Sequence, residues 1–276
     1  PMNSTQYKAY TDLLLRNTVD AVNKGQMSAS NLLPYTSGDM ADIKKDPITN
    51  KYIYNGMNLA FFGNENVNWF DEVYRDNALT SQSNLNIRGN SGQASYSLGG
   101  SYLNQNGTMI NSSLKQYNFY TNLNMALNQF LIVGSSVRLG HTLNKSGRFG
   151  MGSEASSIAL GARPDLPVFD QEGGYERQPM YSYGSATLNA NPVAQLQNKI
   201  ADKGYTLLGN IFAEVTVLKN LKVKADFNTG LFYTKSDSFY PSQLTNALYP
   251  GFPPYESNLQ ISDAMDVNLV EDLTAT

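Results

Sequence analysis

The sequence predicts an all-β protein, an antiparallel up-and-down segment of a transmembrane β-barrel, from three observations. The first is alternation. Ala94, Tyr96, Leu98, Gly100 and Tyr102 interleave with Ser95, Ser97, Gly99 and Ser101, and Tyr117, Phe119, Thr121, Leu123 and Met125 interleave with Asn118, Tyr120, Asn122 and Asn124. Successive strand side chains point to opposite faces, so each segment has one apolar and one polar face. The second is length. Most of the segments reach the ~9–11 residues that a tilted strand needs to cross a bilayer, whereas soluble strands average ~5–6. The third is the sorting of connections. Tight turns at 90–93, 128–129 and 219–220 fall at one end of the strands, and the loops 105–115, 142–204 and 236–258 fall at the other. Outer-membrane barrels combine short periplasmic turns with longer outside loops in this way. A soluble β-sandwich, such as a carbohydrate-binding module, is the alternative, because it would bury the same apolar faces against a second sheet.

The elements follow in chain order. A helix is predicted over 4–23, with Asn3 and Gln6 as a capping box and Tyr7, Tyr10, Leu14 and Ala21 on one face. Residues 24–68 read as irregular, and a short helix is predicted over 69–75. Strands are predicted over 82–89, 94–104, 116–127, 130–141, 205–218, 221–235 and 259–273. The chain thus divides into a loop region, 1–80, and a strand region, 81–276, interrupted by the long loops 142–204 and 236–258.

The faces can be assigned residue by residue. Ile211, Ala213, Val215 and Val217 are expected toward lipid, as are Val223, Ala225, Phe227, Leu231 and Tyr233. Asn210, Phe212, Glu214 and Thr216 are expected toward a wet lumen with Lys222, Lys224, Asp226 and Asn228. A charge on the lipid face at mid-membrane costs ~2–4 kcal/mol. In 205–218 and 221–235 charges keep to one parity except Lys235 at a strand end, and in 259–273 Asp263 breaks the pattern and is placed near the loop end. Tyr102, Tyr117, Phe130 and Tyr205 stand at strand ends, where interfacial aromatic girdles form.

Composition excludes several function classes. Charged residues make up 16% of the 276 residues, below the ~25% of an average soluble protein. A net charge of -3 provides no basic footprint for nucleic acid. With no Cys and a single His there is no disulfide framework, no expected metal site and only one possible base for a nucleophilic triad. That residue, His141, reads as a polar residue at the barrel rim. The adjacent carboxylates Glu271 and Asp272 would point to opposite faces of a strand, which removes them as a glycosidase pair. No catalytic residue and no cofactor is expected. No run approaches the ~18 apolar residues of a membrane helix. Pro1 suggests a mature or internal piece whose targeting segment lies elsewhere.

Several stretches resemble the SusC/RagA family of TonB-dependent outer-membrane transporters of Bacteroidetes. They are the run from Trp69 to Arg75 (Trp-Phe-Asp-Glu-Val-Tyr-Arg), Tyr96 to Gly107, Tyr117 to Asn124, Arg163 to Val168 (Arg-Pro-Asp-Leu-Pro-Val), Asn191-Pro-Val193 and Leu208 to Glu214. Their order and spacing are similar to the family's. The resemblance implies a barrel of about 22 strands, the size of plugged transporters, of which this chain would supply about seven early strands. By the same resemblance the plug and TonB-box would lie elsewhere, and so would the remaining strands, since seven cannot close such a barrel and open edges do not persist in lipid. It also implies import of oligosaccharides or peptides across the bacterial outer membrane, energy from TonB, and a SusD-like surface lipoprotein as partner. A barrel of this kind used as a docking platform in a surface assembly would carry the same sequence signature.

The long loop is the candidate binding region. Phe149, Tyr175, Tyr181 and Tyr183 offer ring faces, and Asn189 and Asn191 offer amides, a combination suited to sugars or peptides. Self-packing of the loop is the competing use of the same residues. Helix 4–23 could contact the partner lipoprotein or pack on the barrel rim.

Overall fold

The computed structural model describes residues 2–37, 40–146, 159–176, 178–182, 185–189, 191–241 and 257–276. It divides into two units. The sheet unit comprises Asp76–Gly147, Lys199–Phe239 and Leu259–Thr276, and the loop unit comprises Pro1–Arg75, Arg148–Asn198 and Tyr240–Asn258.

In the loop unit, α1 (Ser4–Asn23) starts at the predicted capping box. Asn3 Oδ1 accepts from Gln6 N at 2.8 Å, and Gln6 Oε1 accepts from Asn3 N at 3.0 Å. The buried face is Thr11, Leu15, Thr18 and Val19, not the face through Tyr10, which is 51% exposed. The threonines explain the shift. Each hydroxyl bonds the carbonyl one turn back, Thr11 to Tyr7 and Thr18 to Leu14, so residues that read as polar are buried without an unsatisfied group. Leu15 joins Tyr35, Met40, Ala41 and Phe62 in the core of this unit. Tyr35 belongs to a short helix, α2 (Leu33–Ser37).

The region expected to be irregular holds a hairpin, β1 (Ala41–Lys45) with β2 (Tyr52–Met57). Its turn is organised by Asp46, whose carboxylate accepts from Ile48 N and Thr49 Oγ1, and by Asn50 at φ 56°. The alternation Ala41-Asp42-Ile43-Lys44 covers only four residues of β1, and the consecutive Tyr52, Ile53 and Tyr54 of β2 show none, which is why the pattern missed them. The predicted second helix is a single turn, α3 (Trp69–Val73), capped by Asn68.

The sheet unit contains all seven predicted strands: β3 (Thr80–Asn90), β4 (Ala94–Asn106), β5 (Ser113–Ala126), β6 (Leu131–Ser146), β9 (Lys199–Leu218), β10 (Leu221–Tyr240) and β11 (Asn258–Ala275). The loop between β6 and β9 carries a separate hairpin, β7 (Gln178–Ser182) with β8 (Ser185–Asn189), and a one-turn helix, α4 (Pro192–Gln195). Spatial order is sequence order, β3-β4-β5-β6-β9-β10-β11, and the registered pairs from β3 to β10 are antiparallel. Among the described residues the sheet is open, with β3 and β11 at its edges.

Strand ends at the long-loop side extend past their predicted limits. The pairing of β9 with β10 continues through Lys203↔Lys235 to Lys199↔Phe239. The long loops are therefore shorter than 142–204 and 236–258. The reason is that backbone pairing continues where alternation of side chains stops, because the ladder needs only N–H and C=O groups.

Candidate functional site: a two-faced wall and a braced loop

The register converts the alternating pattern into two complete faces. Val223↔Val215, Ala225↔Ala213, Phe227↔Ile211, Leu231↔Leu207 and Tyr233↔Tyr205 stand together on one face. The pairing carries this face through Leu139 and Phe119 to Leu98 and on to Ile87. Its side chains are uncovered, with Ile211 63% and Val217 55% exposed. From Tyr205 to Val217 and from Val223 to Tyr233 this face carries no charge. Ten residues at ~3.3 Å each span ~33 Å along the strand, which a tilt of ~35–45° reduces to the ~25 Å of an outer-membrane apolar band.

The opposite face holds the charges and is tied together by side-chain hydrogen bonds. Asn122 donates to Ser97 Oγ at 3.1 Å, Asn118 to Ser101 Oγ at 3.2 Å and Asn210 to Asn228 Oδ1 at 2.8 Å. Tyr120 OH donates to Asn86. Lys222 pairs with Glu214 and Lys224 with Asp226, each at 2.8 Å, and the Lys224 ammonium lies 4.6 Å from the Phe212 ring centre. Phe212 thus stands on the polar face, as expected from parity, and the lysine covers it.

The apolar face ends in a continuous row of rings running across five strands. Tyr102, Tyr117, His141, Tyr205 and Tyr233 follow one another with centroid separations of 4.9, 6.0, 4.5 and 5.9 Å. Each is the direct register partner of the next. His141 belongs to this row, and its Nδ1 lies 3.1 Å from the Gly204 carbonyl. A carbonyl only accepts, so that nitrogen carries the proton. Tyrosine hydroxyls and an imidazole above an apolar band are the composition of a membrane-interface girdle. Phe130, expected to join a girdle, lies at the opposite end of the strands and is 62% exposed.

In the loop unit, two of the stretches that carry the family resemblance form one buried cluster. Arg163 and Asp165 make a bidentate pair, with Nε–Oδ1 at 3.1 Å and Nη2–Oδ2 at 2.6 Å and side chains 2% and 0% exposed. Trp69 Nε1 donates to the Arg163 carbonyl at 2.9 Å, and Gly63 N donates to Asp165 Oδ2 at 2.9 Å. The guanidinium lies 4.6 Å from the Phe61 ring centre and 5.4 Å from that of Phe62. A Cβ on Gly63 would overlap the Asp165 carbonyl, so this position has room only for glycine. The motif residues brace the loop: both Asp165 carboxylate oxygens and the Nε and Nη2 of Arg163 are bound within the protein, Nη2 also donating to the Phe61 carbonyl.

The sequence-predicted binding residues have different fates. Tyr175 is half-buried and packs on Phe169 at 5.3 Å, across a small turn closed by Asp170 and Gly174. Tyr181 is on β7 and Asn189 on β8, at the register positions Tyr181↔Ala186 and Gln178↔Asn189. Phe149 and Tyr183 lie outside the described residues. Asn191 is fully buried: its Nδ2 donates to the carbonyls of Val168 and Glu176, and its Oδ1 accepts from Val193 N and Ala194 N at the start of α4. It serves as a helix cap and loop brace, a correction to its expected place in a binding surface. The Pro at position N1 of α4 was the available signal, since Asn-Pro is a common helix start. Among the described residues no group of acidic or His side chains could hold a metal.

No family model matches the chain. It is 26% identical over 196 residues to TonB-dependent receptor P3 of Formosa agariphila, a match covering 66% of this chain and 18% of that protein. It is 25% identical over 187 residues to TonB-dependent receptor P26 of the same organism, covering 67% of this chain and 18% of that protein. The chain therefore spans about a fifth of the length of these relatives. Its fold matches structures of the RagAB peptide importer: in the closed-closed state with a TM-score of 0.58 at 21% identity, over 78% of this chain and 24% of the other, and in the open-open state with a TM-score of 0.56 at 22% identity, over 75% and 23%. The uncharged outward band of β9 and β10, the girdle row and the order of seven strands agree with these likenesses: over about two thirds of its length the chain is similar to TonB-dependent receptors, and its fold is that of part of the RagAB importer.

Proposed function

We propose that this chain forms wall and loops of an outer-membrane importer for large nutrients, oligosaccharides or peptides, and that it contributes binding surface and lumen lining, not catalysis. The observation that carries the reading is the face pattern. Six adjacent strands, β3 to β10, present one apolar face that is uncharged between the ring row and the tight turns and one hydrogen-bonded polar face, the arrangement that suits lipid on one side and water on the other. The seventh, β11, carries Glu271 on the apolar parity. A soluble sandwich would need a second sheet over the apolar face, and among its described residues the sheet unit holds one sheet.

In this reading Tyr175, Tyr181 and Asn189 are the loop residues nearest to a cargo role. A SusD-like lipoprotein is the proposed partner, by analogy with the two-component RagAB importer, and TonB supplies energy through a segment outside this chain. The test is uptake by cells expressing the full-length protein, with and without TonB. TonB-dependent accumulation of labelled oligosaccharide or peptide, with the protein in the outer-membrane fraction, is expected. Uptake indifferent to TonB, or a protein that stays in solution without detergent, would overturn the proposal.

A further inference from the structure

Charge returns to the outward face immediately beyond the ring row, mainly as lysine. Lys115 and Lys203 flank Leu143 from its two neighbouring strands, and Lys145 stands two residues further along β6. Their registers place all three on the parity of Tyr117, His141 and Tyr205, two to four residues past the row, about 7–13 Å along the strands. Two carboxylates share this face here, both on the β10–β11 side. Asp237 pairs with Lys203 at 2.7 Å and approaches Lys235 at 3.7 Å. Asp263 falls opposite Lys235 when the Lys222–Thr276 pairing is continued along β11. Among the described residues no carboxylate pairs with Lys115 or Lys145.

On the other side of the row the same face carries a groove of about 830 Å³. Leu85, Leu98, Phe119, Leu139 and Leu207 line it, and the row's rings close its upper end. Gly100 sits between its register partners Leu85 and Phe119, so the missing side chain deepens the groove. A Cβ there would meet only the Asn118 carbonyl, at 3.6 Å.

Cationic groups, then hydroxyls and an imidazole, then an apolar groove is the order of complements to a lipid's phosphate, ester linkages and acyl chain. We infer that this outward strip is a seat for a lipid of the surrounding membrane whose phosphate leaves it with net negative charge, that phosphate held by Lys115 and Lys145 and an acyl chain laid beside Gly100. The inference rests on the membrane reading above. It goes beyond general lipid contact because an evenly solvated lipid face needs neither the unpaired lysines nor the notch.

The test is native mass spectrometry of the full-length protein in detergent, titrated with phosphatidic acid and, as a control of matched chains, phosphatidylcholine. Phosphatidic acid should bind in preference, and Lys115→Gln with Lys145→Gln should weaken it roughly tenfold while phosphatidylcholine is unaffected. Gly100→Leu should weaken both lipids, and millimolar inorganic phosphate should displace neither. Equal binding of the two lipids, a double variant that binds phosphatidic acid like the parent, or displacement by phosphate alone would each overturn the seat. Heat-modifiable gel migration checks that the variants remain folded. A protein soluble without detergent would instead defeat the membrane reading itself, so the two failures are distinguishable.

Discussion

The loop unit and the sheet unit use similar residues under opposite rules. In the loop unit large apolar side chains are hidden: Leu15 and Val73 are 0% exposed and Trp69 is 2% exposed. In the sheet unit Leu139, Ile211 and Val217 stand uncovered, at 45%, 63% and 55%. Polar groups differ in the same sense. The Arg163–Asp165 pair is sealed inside the loop unit, whereas the sheet's ion pairs, such as Lys222–Glu214, keep partial exposure. The difference teaches that apolar content alone does not say where a core is. Water expels apolar groups into a core, whereas a strand bordered by lipid on one side keeps them outward and sends its charges to the other face.

The comparison can be broken most severely at the sealed pair. Asp165→Ala leaves the Arg163 guanidinium buried without its carboxylate, and should cost about 3–5 kcal/mol. Hydrogen exchange of the full-length protein should rise over 61–70 and 163–168 and stay unchanged over β9 and β10. Uniform loosening of both units would show that they do not follow separate rules. Next comes the sheet. Ile211→Lys, mid-strand on the outward face, should lower stability in lipid vesicles by ~2–4 kcal/mol. Its neighbour Asn210→Lys, on the polar face, should be nearly neutral, and urea titration read by heat-modifiable migration distinguishes the two. Equal penalties would mean the faces are misassigned.

A smaller effect is expected at Asn191. Asn191→Ala removes the cap of α4 and should cost roughly 1–2 kcal/mol, seen as faster proteolysis within 166–198 without loss of barrel folding. If cargo affinity fell while loop stability did not, Asn191 would return to the binding surface. The smallest effect is at the surface of α1. Bonds from Arg16 and then from the Tyr54 hydroxyl hold the Asp12 carboxyl below the usual aspartate range. A depressed carboxylate contributes stability that is present above its unfolded pKa and lost as pH falls through its folded one. Relative to Asp12→Asn, the loop unit should therefore gain a few tenths of a kcal/mol at neutral pH, and the gain should begin to fall near about pH 4 and shrink as pH drops further. Thermal melts of both proteins between pH 2 and 7 check this, and a gain undiminished from pH 7 to pH 2 would contradict the assignment.

Much of the wall was legible because period-two alternation is a local signal repeated over long strands. Lys222, Lys224 and Asp226 announced the polar face, and Val223, Ala225 and Phe227 the outward one. The loop unit was less legible. Thr11 and Thr18 read as polar yet are buried by back-bonding, and in the hairpin of β1 and β2 only four residues alternate. The bond from Trp69 to Arg163 joins residues 94 positions apart, which no local pattern reveals.

What the sequence determined by itself is the seven strands of the large sheet, the two faces of most of them, the capped first helix and the resemblance to known transporters, because each is written in neighbouring residues or in ordered short stretches. What only the tertiary structure decided is which residues meet across strands and loops. It aligned four tyrosines and His141 into one row, placed three lysines beyond it and a glycine notch before it, and closed the loop over an arginine–aspartate pair. Register and loop closure are long-range choices, fixed by backbone pairing and burial over many residues at once, and no short window of sequence contains them.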